Sequence, residues 1–206
     1  MKLKICGLKY LDNINEVVEY SPDYLGFIFY EHSKRYVGQE LDRARLNNID
    51  SEIKKVGVFV NATEKEILQK IDEYNLDFVQ LHGDETPEFC KQLSRNVKII
   101  KAFGVDEEFD FLRLNEYKSS IEYFLFDTKT LEHGGSGKQF DWNILEKYDN
   151  EIPFFLSGGI DINDIGSILQ LNKLNIHAID VNSKFEIRPG LKDINKIKKL
   201  RDAIHS

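Results

Sequence analysis

Short runs of β-branched and aromatic residues recur along the chain, separated by stretches in which apolar residues return every three or four positions. This spacing predicts strands near residues 2–5, 24–29, 54–59, 78–81, 98–102, 123–126, 153–156 and 176–181. Their starts fall about 25 residues apart, the length of a compact strand–helix unit. Phe124-Leu125-Phe126 and Gly26-Phe27-Ile28-Phe29 are apolar at consecutive positions, as in strands covered on both faces of a parallel sheet.

The intervening stretches carry helix signals. Thr63 and Glu66 form a capping-box pair ahead of Ile67, Leu68, Ile71 and Tyr74. Thr86-Pro87 supplies a capping residue followed by proline at the first helical position. Ile162, Ile165, Ile168 and Leu169 form one stripe, and Ile194, Ile197, Leu200 and Ile204 another. A weaker helix at Leu41, Ala44 and Leu46 is diluted by Asn47 and Asn48. Eight alternating units fit an α/β chain folded as a (β/α)8 TIM barrel, a single domain over residues 1–206. The alternative is an open doubly wound sheet. That fold usually carries a glycine-rich phosphate turn after its first strand, a fingerprint absent from Cys6-Gly7-Leu8-Lys9.

Composition narrows the class. A net charge of −7 argues against nucleic-acid binding, which wants a basic face. The longest apolar runs are far too short to span a bilayer, so no membrane association is expected. The opening Met1-Lys2-Leu3-Lys4-Ile5 runs into a strand pattern rather than a leader, and two cysteines make no disulfide framework. A reduced, cytoplasmic setting is the simplest expectation. No His, Cys or carboxylate grouping has metal-ligand spacing. No long exposed apolar element stands out, so both a monomer and a homodimer remain open.

In a barrel, chemistry gathers at the C-terminal ends of the strands. There the sequence places Cys6, Ser33-Lys34-Arg35, Asn61, Gln80-Leu81-His82-Gly83, Asp127, Ser157-Gly158-Gly159 and Asp180-Val181-Asn182-Ser183. Gly158 and Gly159 read either as a phosphate-approach turn or as a turn that merely needs positive φ, and Asn182-Ser183 in the adjoining loop favours phosphate. Asp127 follows an apolar strand, where burial would raise its pKa toward that of a neutral-pH acid; its plainer role is to cap the next loop or pair with a lysine. Cys6 becomes a base or nucleophile if a positive neighbour such as Lys4 or His82 stabilises its thiolate, and is otherwise a small buried hydrophobe. Cys90, beside Phe89 and Leu93, reads as packing. Arg35 reads from spacing alone as a solvated surface residue, with a carboxylate clamp as the alternative. His82 orients a substrate oxygen or caps the Gly83 turn, while Asp84 and Glu85 favour a helix start. His133 lies in Glu132-His133-Gly134-Gly135-Ser136-Gly137-Lys138, a glycine-rich loop suited to closing over a ligand, without the ending of a nucleotide-binding P-loop.

Taken together and in order, several blocks resemble the phosphoribosylanthranilate isomerase family. They are Lys4-Ile5-Cys6-Gly7, Gly26-Phe27-Ile28-Phe29 with Ser33-Lys34-Arg35-Tyr36, Val56-Gly57-Val58-Phe59-Val60-Asn61, Val79-Gln80-Leu81-His82-Gly83, Phe126-Asp127-Thr128-Lys129, Gly134-Gly135-Ser136-Gly137-Lys138 and Leu156-Ser157-Gly158-Gly159. The resemblance implies an Amadori rearrangement that needs no cofactor, acting on a small phosphoribosyl-anthranilate substrate in tryptophan biosynthesis. It also implies Asp127 as the acid, Cys6 as the base, and Arg35 on the anthranilate carboxylate. Gln80 and His82 would contact the substrate, and Gly158, Gly159, Asn182 and Ser183 the phosphate. The family pattern after the last strand is Ser-Gly-Val-Glu, whereas this chain has Ser183-Lys184-Phe185-Glu186; lysine tolerates positive φ poorly and brings a charge. Two other readings are another phosphosugar isomerase or epimerase on the same fold, and a non-catalytic sensor of a phosphorylated ligand.

Overall fold

The computed structural model describes residues 1–38, 41, 46, 49–129 and 140–205. Eight parallel strands close on themselves in sequence order, β1 (Lys2–Ile5), β2 (Tyr24–Ile28), β3 (Lys54–Phe59), β4 (Phe78–Leu81), β5 (Lys98–Val105), β6 (Tyr123–Thr128), β7 (Phe154–Leu156) and β8 (Ile176–Val181). Pairing of β1 with β8, with Lys4 opposite Asp180, completes the barrel and excludes the open sheet. β5 and β6 run farther than their apolar runs suggested, so Asp127 lies within β6 rather than beyond it. The cause is pairing: Gly104 and Val105 align with Asp127 and Thr128, and the ladder extends past the hydrophobic segment.

Successive side chains on a strand point to opposite faces, which sorts the core into two parts. Phe124 and Phe126 of β6, and Phe154 and Leu156 of β7, face the outer layer. Leu125 and Phe155 face the interior with Tyr24, Val56, Phe78, Ile100, Ala102 and Ala178. Each fully buried phenylalanine contributes about 1.5–3 kcal/mol of hydrophobic stabilisation. The same alternation sends Lys4, Gln80 and Asp180 inward, and Cys6, His82 and Asn182 follow two residues later, at the C-terminal mouth.

The outer layer contains α1 (Leu11–Val18), α2 (Glu64–Tyr74), α3 (Pro87–Leu93), α4 (Ile165–Gln170) and α5 (Ile194–His205). Thr63 and Glu66 form the reciprocal cap of α2, and Thr86 caps α3 ahead of Pro87. Cys90 and Leu93 are fully buried on α3. The α4 stripe is narrower than its sequence implied, because a 3₁₀ turn over Ile162–Asp164 precedes it and leaves Leu169 46% exposed. Between β5 and β6, and between β6 and β7, the described connections contain 3₁₀ helices, Phe111–Glu116 and Trp142–Lys147, each capped by an aspartate. Of the weak helix after β2, Leu41 and Leu46 are buried, while Ala44, Asn47 and Asn48 lie outside the described residues.

A short antiparallel hairpin, β9 (Glu186–Arg188) and β10 (Leu191–Lys192), follows β8 without any signal in the hydrophobic pattern. Glu85, read from sequence as a helix-start residue, is instead buried. It pairs with Lys101 at 2.9 Å and accepts from the N–H groups of Asn61 and Gly83. Lys101 also donates to the Gly83 carbonyl, so this one pair pins the loops after β3 and β4.

At the opposite end of the barrel the Tyr24 hydroxyl lies 2.7 Å from His177 Nε2, and Tyr123 stacks on the imidazole at 4.1 Å. Burial, aided by the nearby Lys2 charge, depresses His177 from its ordinary 6.5 to about 4. The unfolded chain therefore takes up this proton first. Stabilisation from the neutral imidazole is complete above 6.5 and is lost as pH falls toward 4. Discounted for partial exposure, the effect is about 2 kcal/mol. Urea unfolding of His177→Gln should show a flatter stability profile across that window than the parent, and an unchanged slope would refute the assignment.

Candidate active site

The nine residues singled out in the sequence, Cys6, Arg35, Gln80, His82, Asp127, Gly158, Gly159, Asn182 and Ser183, all line one pocket at the C-terminal mouth. The space within it, open to solvent at the mouth, is about 840 Å³. Thr128, Ser157, Asp180 and Lys184 share the lining. His133 and the glycine-rich loop around it lie outside the described residues.

At the β1–β8 corner Cys6 is 4% exposed. A side chain on Gly26 would come within 2.6 Å of its sulfur, so glycine on the neighbouring strand is what makes room for the thiol. Lys4 Nζ lies 2.9 Å from Asp180 Oδ1, both side chains buried. Burial pushes the Cys6 thiol up, and the opposing pull of Lys4 does not overcome it. Of the two sequence readings, the buried side chain is the one whose effect prevails here: the thiol is held above its ordinary range despite the Lys4 charge. Burial works against the Lys4 charge too, yet Asp180 and Cys6 outweigh it and hold Lys4 above its ordinary range. Asp180 is raised, by burial first and against the pull of Lys4.

On the β4–β6 wall, Asp127 Oδ1 accepts from the Thr128 N–H at 2.8 Å, the loop-capping contact named as its plainer role. Its other oxygen lies 3.5 Å from His82 Nε2, and His82 Nδ1 is 2.9 Å from Gln80 Nε2. Glu85, not His82, caps the Gly83 turn. Lys129 pairs with Asp106 rather than with Asp127. Gly158 (φ +96°) and Gly159 (φ +64°) both adopt the left-handed region. A Cβ on Gly158 would meet Thr128 Oγ1 at 2.5 Å, so this turn presses directly on the Asp127 strand.

Arg35 is not a solvated surface residue. Glu186 accepts from its Nε at 3.0 Å and from Nη2 at 2.7 Å, with the two side chains 13% and 3% exposed. Lys192 donates to Glu186 at 2.9 Å and to Asn182 Oδ1 at 2.8 Å, linking the Arg35 mount to the loop after β8. Glu186 entered the sequence reading only as the end of the Ser183-Lys184-Phe185-Glu186 block and Lys192 not at all, because the hairpin that delivers them leaves no periodicity. Lys184 sits in a 3₁₀ turn over Ser183–Phe185 and is not among the described non-glycine residues with positive φ. The backbone there accommodates lysine without strain.

This chain matches the family described as N-(5'phosphoribosyl)anthranilate (PRA) isomerase over residues 3–203. It belongs to that family. The N-(5'-phosphoribosyl)anthranilate isomerase of Parabacteroides distasonis is 46% identical over 200 residues, covering 96% of this chain and 90% of the relative. Among solved structures, the phosphoribosyl anthranilate isomerase of Thermus thermophilus superposes with a TM-score of 0.89 at 27% identity, covering 100% of this chain and 98% of the other. A further phosphoribosyl anthranilate isomerase structure, with a TM-score of 0.87 at 32% identity and the same coverage, is a complex with reduced 1-(o-carboxyphenylamino)-1-deoxyribulose 5-phosphate.

In this isomerase-family chain the Arg35 mount carries a pH signature. Burial alone would raise Glu186, but the bonds from Arg35 and Lys192 hold it below the usual carboxylate range. Its contribution is thus complete above the ordinary glutamate pKa and is lost as pH falls through the depressed folded value. Glu186→Gln should cost roughly 3 kcal/mol in urea unfolding at neutral pH, by leaving two buried cations short of a partner. The gap to the parent should close in strong acid; a gap that persists there would contradict the ion-pair origin.

Proposed function

We propose that the chain catalyses conversion of N-(5-phosphoribosyl)anthranilate to 1-(2-carboxyphenylamino)-1-deoxyribulose 5-phosphate, a step of tryptophan biosynthesis. The observation that carries this reading is the joint presence of Cys6 and Asp127 in one pocket of a family member, with the Gly158-Gly159 and Asn182-Ser183 turns beside them. The reaction is an internal redox isomerisation, so it needs one proton donor and one proton acceptor on a common sugar.

Asp127 protonates the ribose ring oxygen, and the ring opens to a protonated imine. Cys6, as thiolate, removes the proton from C2′. The resulting enolamine tautomerises to the ketone. Gly158, Gly159, Asn182 and Ser183 hold the phosphate, with Lys184 adding positive charge at the rim. Arg35, oriented by Glu186, meets the anthranilate carboxylate, and Gln80 and His82 contact the sugar between the two proton-transfer groups.

Replacing Asp127 by Asn, or Cys6 by Ala, should lower kcat by about 100- to 10,000-fold with little change in KM. The fluorescence change as the anthranilate adduct is consumed provides the assay, and near-parent turnover in either variant removes that residue from the chemistry. Arg35→Ala should raise KM for the carboxylate-bearing substrate at least about tenfold while sparing an analogue without that group. Equal losses for both would rule out the clamp.

A further inference from the structure

Burial holds the Cys6 thiol above its ordinary range, yet the proposed reaction requires its thiolate, so some group must take the thiol proton. Lys4 and Cys6 are two residues apart on β1 and project to the same side, the barrel interior. Lys4 is fully buried, stands in register with Asp180 across the β1–β8 pairing, and touches its carboxylate at 2.9 Å. The Lys4 charge also bears on the Cys6 side chain, two residues on and on the same face. Asp180 lines the pocket, and its second oxygen is 3.4 Å from Ser157 Oγ.

Other charges face this corner less directly. Lys192 acts on Cys6 but is tied to Glu186 and Asn182, and Arg35 bears on Lys192 in turn. Asp127 and His82 act on Asp180 from the opposite wall. One buried cation thus touches the Asp180 carboxylate and shares its strand face with the Cys6 thiol. It compensates a single negative charge, and a second one beside it would be poorly tolerated out of water.

We propose that Lys4 and Asp180 form a proton-exchange pair that activates Cys6. The Cys6 S–H bond breaks, an O–H bond forms on Asp180, and the Lys4 ammonium shifts its compensation from carboxylate to sulfur, so net charge is unchanged. The thiolate then takes the C2′ proton and becomes a thiol again. Asp180 now holds one proton more than at the start, and Asp127, having protonated the ring oxygen, holds one fewer. Transfer of that proton between the two carboxyl groups across the pocket closes the cycle. Lys4 and Asp180 are positioning residues in this scheme, acting through the Cys6 sulfur, and the scheme rests on the reading of Cys6 as the base.

The test is a pH titration of thiolate ultraviolet absorbance, taken as the difference from Cys6→Ala, combined with the pH profile of kcat/KM. Lys4→Met should move the Cys6 midpoint up by about two units and lower kcat at neutral pH roughly 100-fold. Asp180→Asn should move the midpoint down by about one unit, because Lys4 is then left to the sulfur alone, yet should still lower kcat roughly tenfold or more, because the thiol proton has lost its acceptor; undiminished kcat overturns the exchange. The acid limb of the kcat/KM profile should follow each midpoint, with KM held within about threefold. If Lys4→Met does not fold, the double variant Lys4→Met, Asp180→Asn removes both buried charges and should titrate high, as expected for loss of the cation. Midpoints that stay in place, or move in the same direction in the two single variants, overturn the exchange pair and leave a purely structural ion pair. An active Cys6→Ala enzyme instead overturns the base role itself, whatever the titrations show.

Discussion

Pairing of the first strand with the last is the constraint on which the rest of the molecule depends. The register that sets Lys4 opposite Asp180 closes the sheet, and it also brings the thiol of residue 6 beside the loop of residues 182–183. Without closure, Cys6 would stand at an exposed sheet edge, and Lys4 would be a buried cation without its carboxylate. The ion pair and the barrel seam are therefore mutually dependent. A buried pair of this kind is tolerated because both partners are placed by backbone hydrogen bonding rather than by their own flexible side chains.

Among the described residues, three buried charge systems ring the mouth, each fastening a different part of it. Lys4–Asp180 sits beneath Cys6, Lys101–Glu85 ties down the loops after β3 and β4, and Glu186 joins Arg35 to Lys192. Removing one member of any of them leaves an uncompensated charge away from water, which costs more than the intact pair contributes. Such networks hold polar side chains in fixed orientations at the pocket wall, where an apolar packing residue could offer shape but no directed charge.

The glycines at the mouth work by close approach. Gly26 leaves space for the Cys6 sulfur, and Gly158 lets the β7 turn reach Thr128 and Asp127. Together they set the two proton-transfer candidates against strands that a larger residue would push away. Proximity of this kind underlies the proposed chemistry, since an acid and a base act on one sugar only when both face it.

Much of this was legible in the linear order of residues. Strand positions, the Thr63–Glu66 and Thr86 caps, the buried Cys90 and the mouth location of the nine candidate residues follow from local periodicity and turn chemistry, which act between neighbours in sequence. What the order of residues could not reveal depends on contacts between distant segments. Glu85 looks like an exposed helix-start residue until β5 brings Lys101 to it, and Arg35 looks solvated until the hairpin carries Glu186 across 151 positions. The upward shift of the Cys6 thiol belongs to the same group, because burial and the Lys4 charge act in opposition and only the closed barrel sets their balance. Sequence alone determined which elements form and which faces they bury. Tertiary structure decided which charges meet, because electrostatic partnership depends on distance through space and carries no period along the chain.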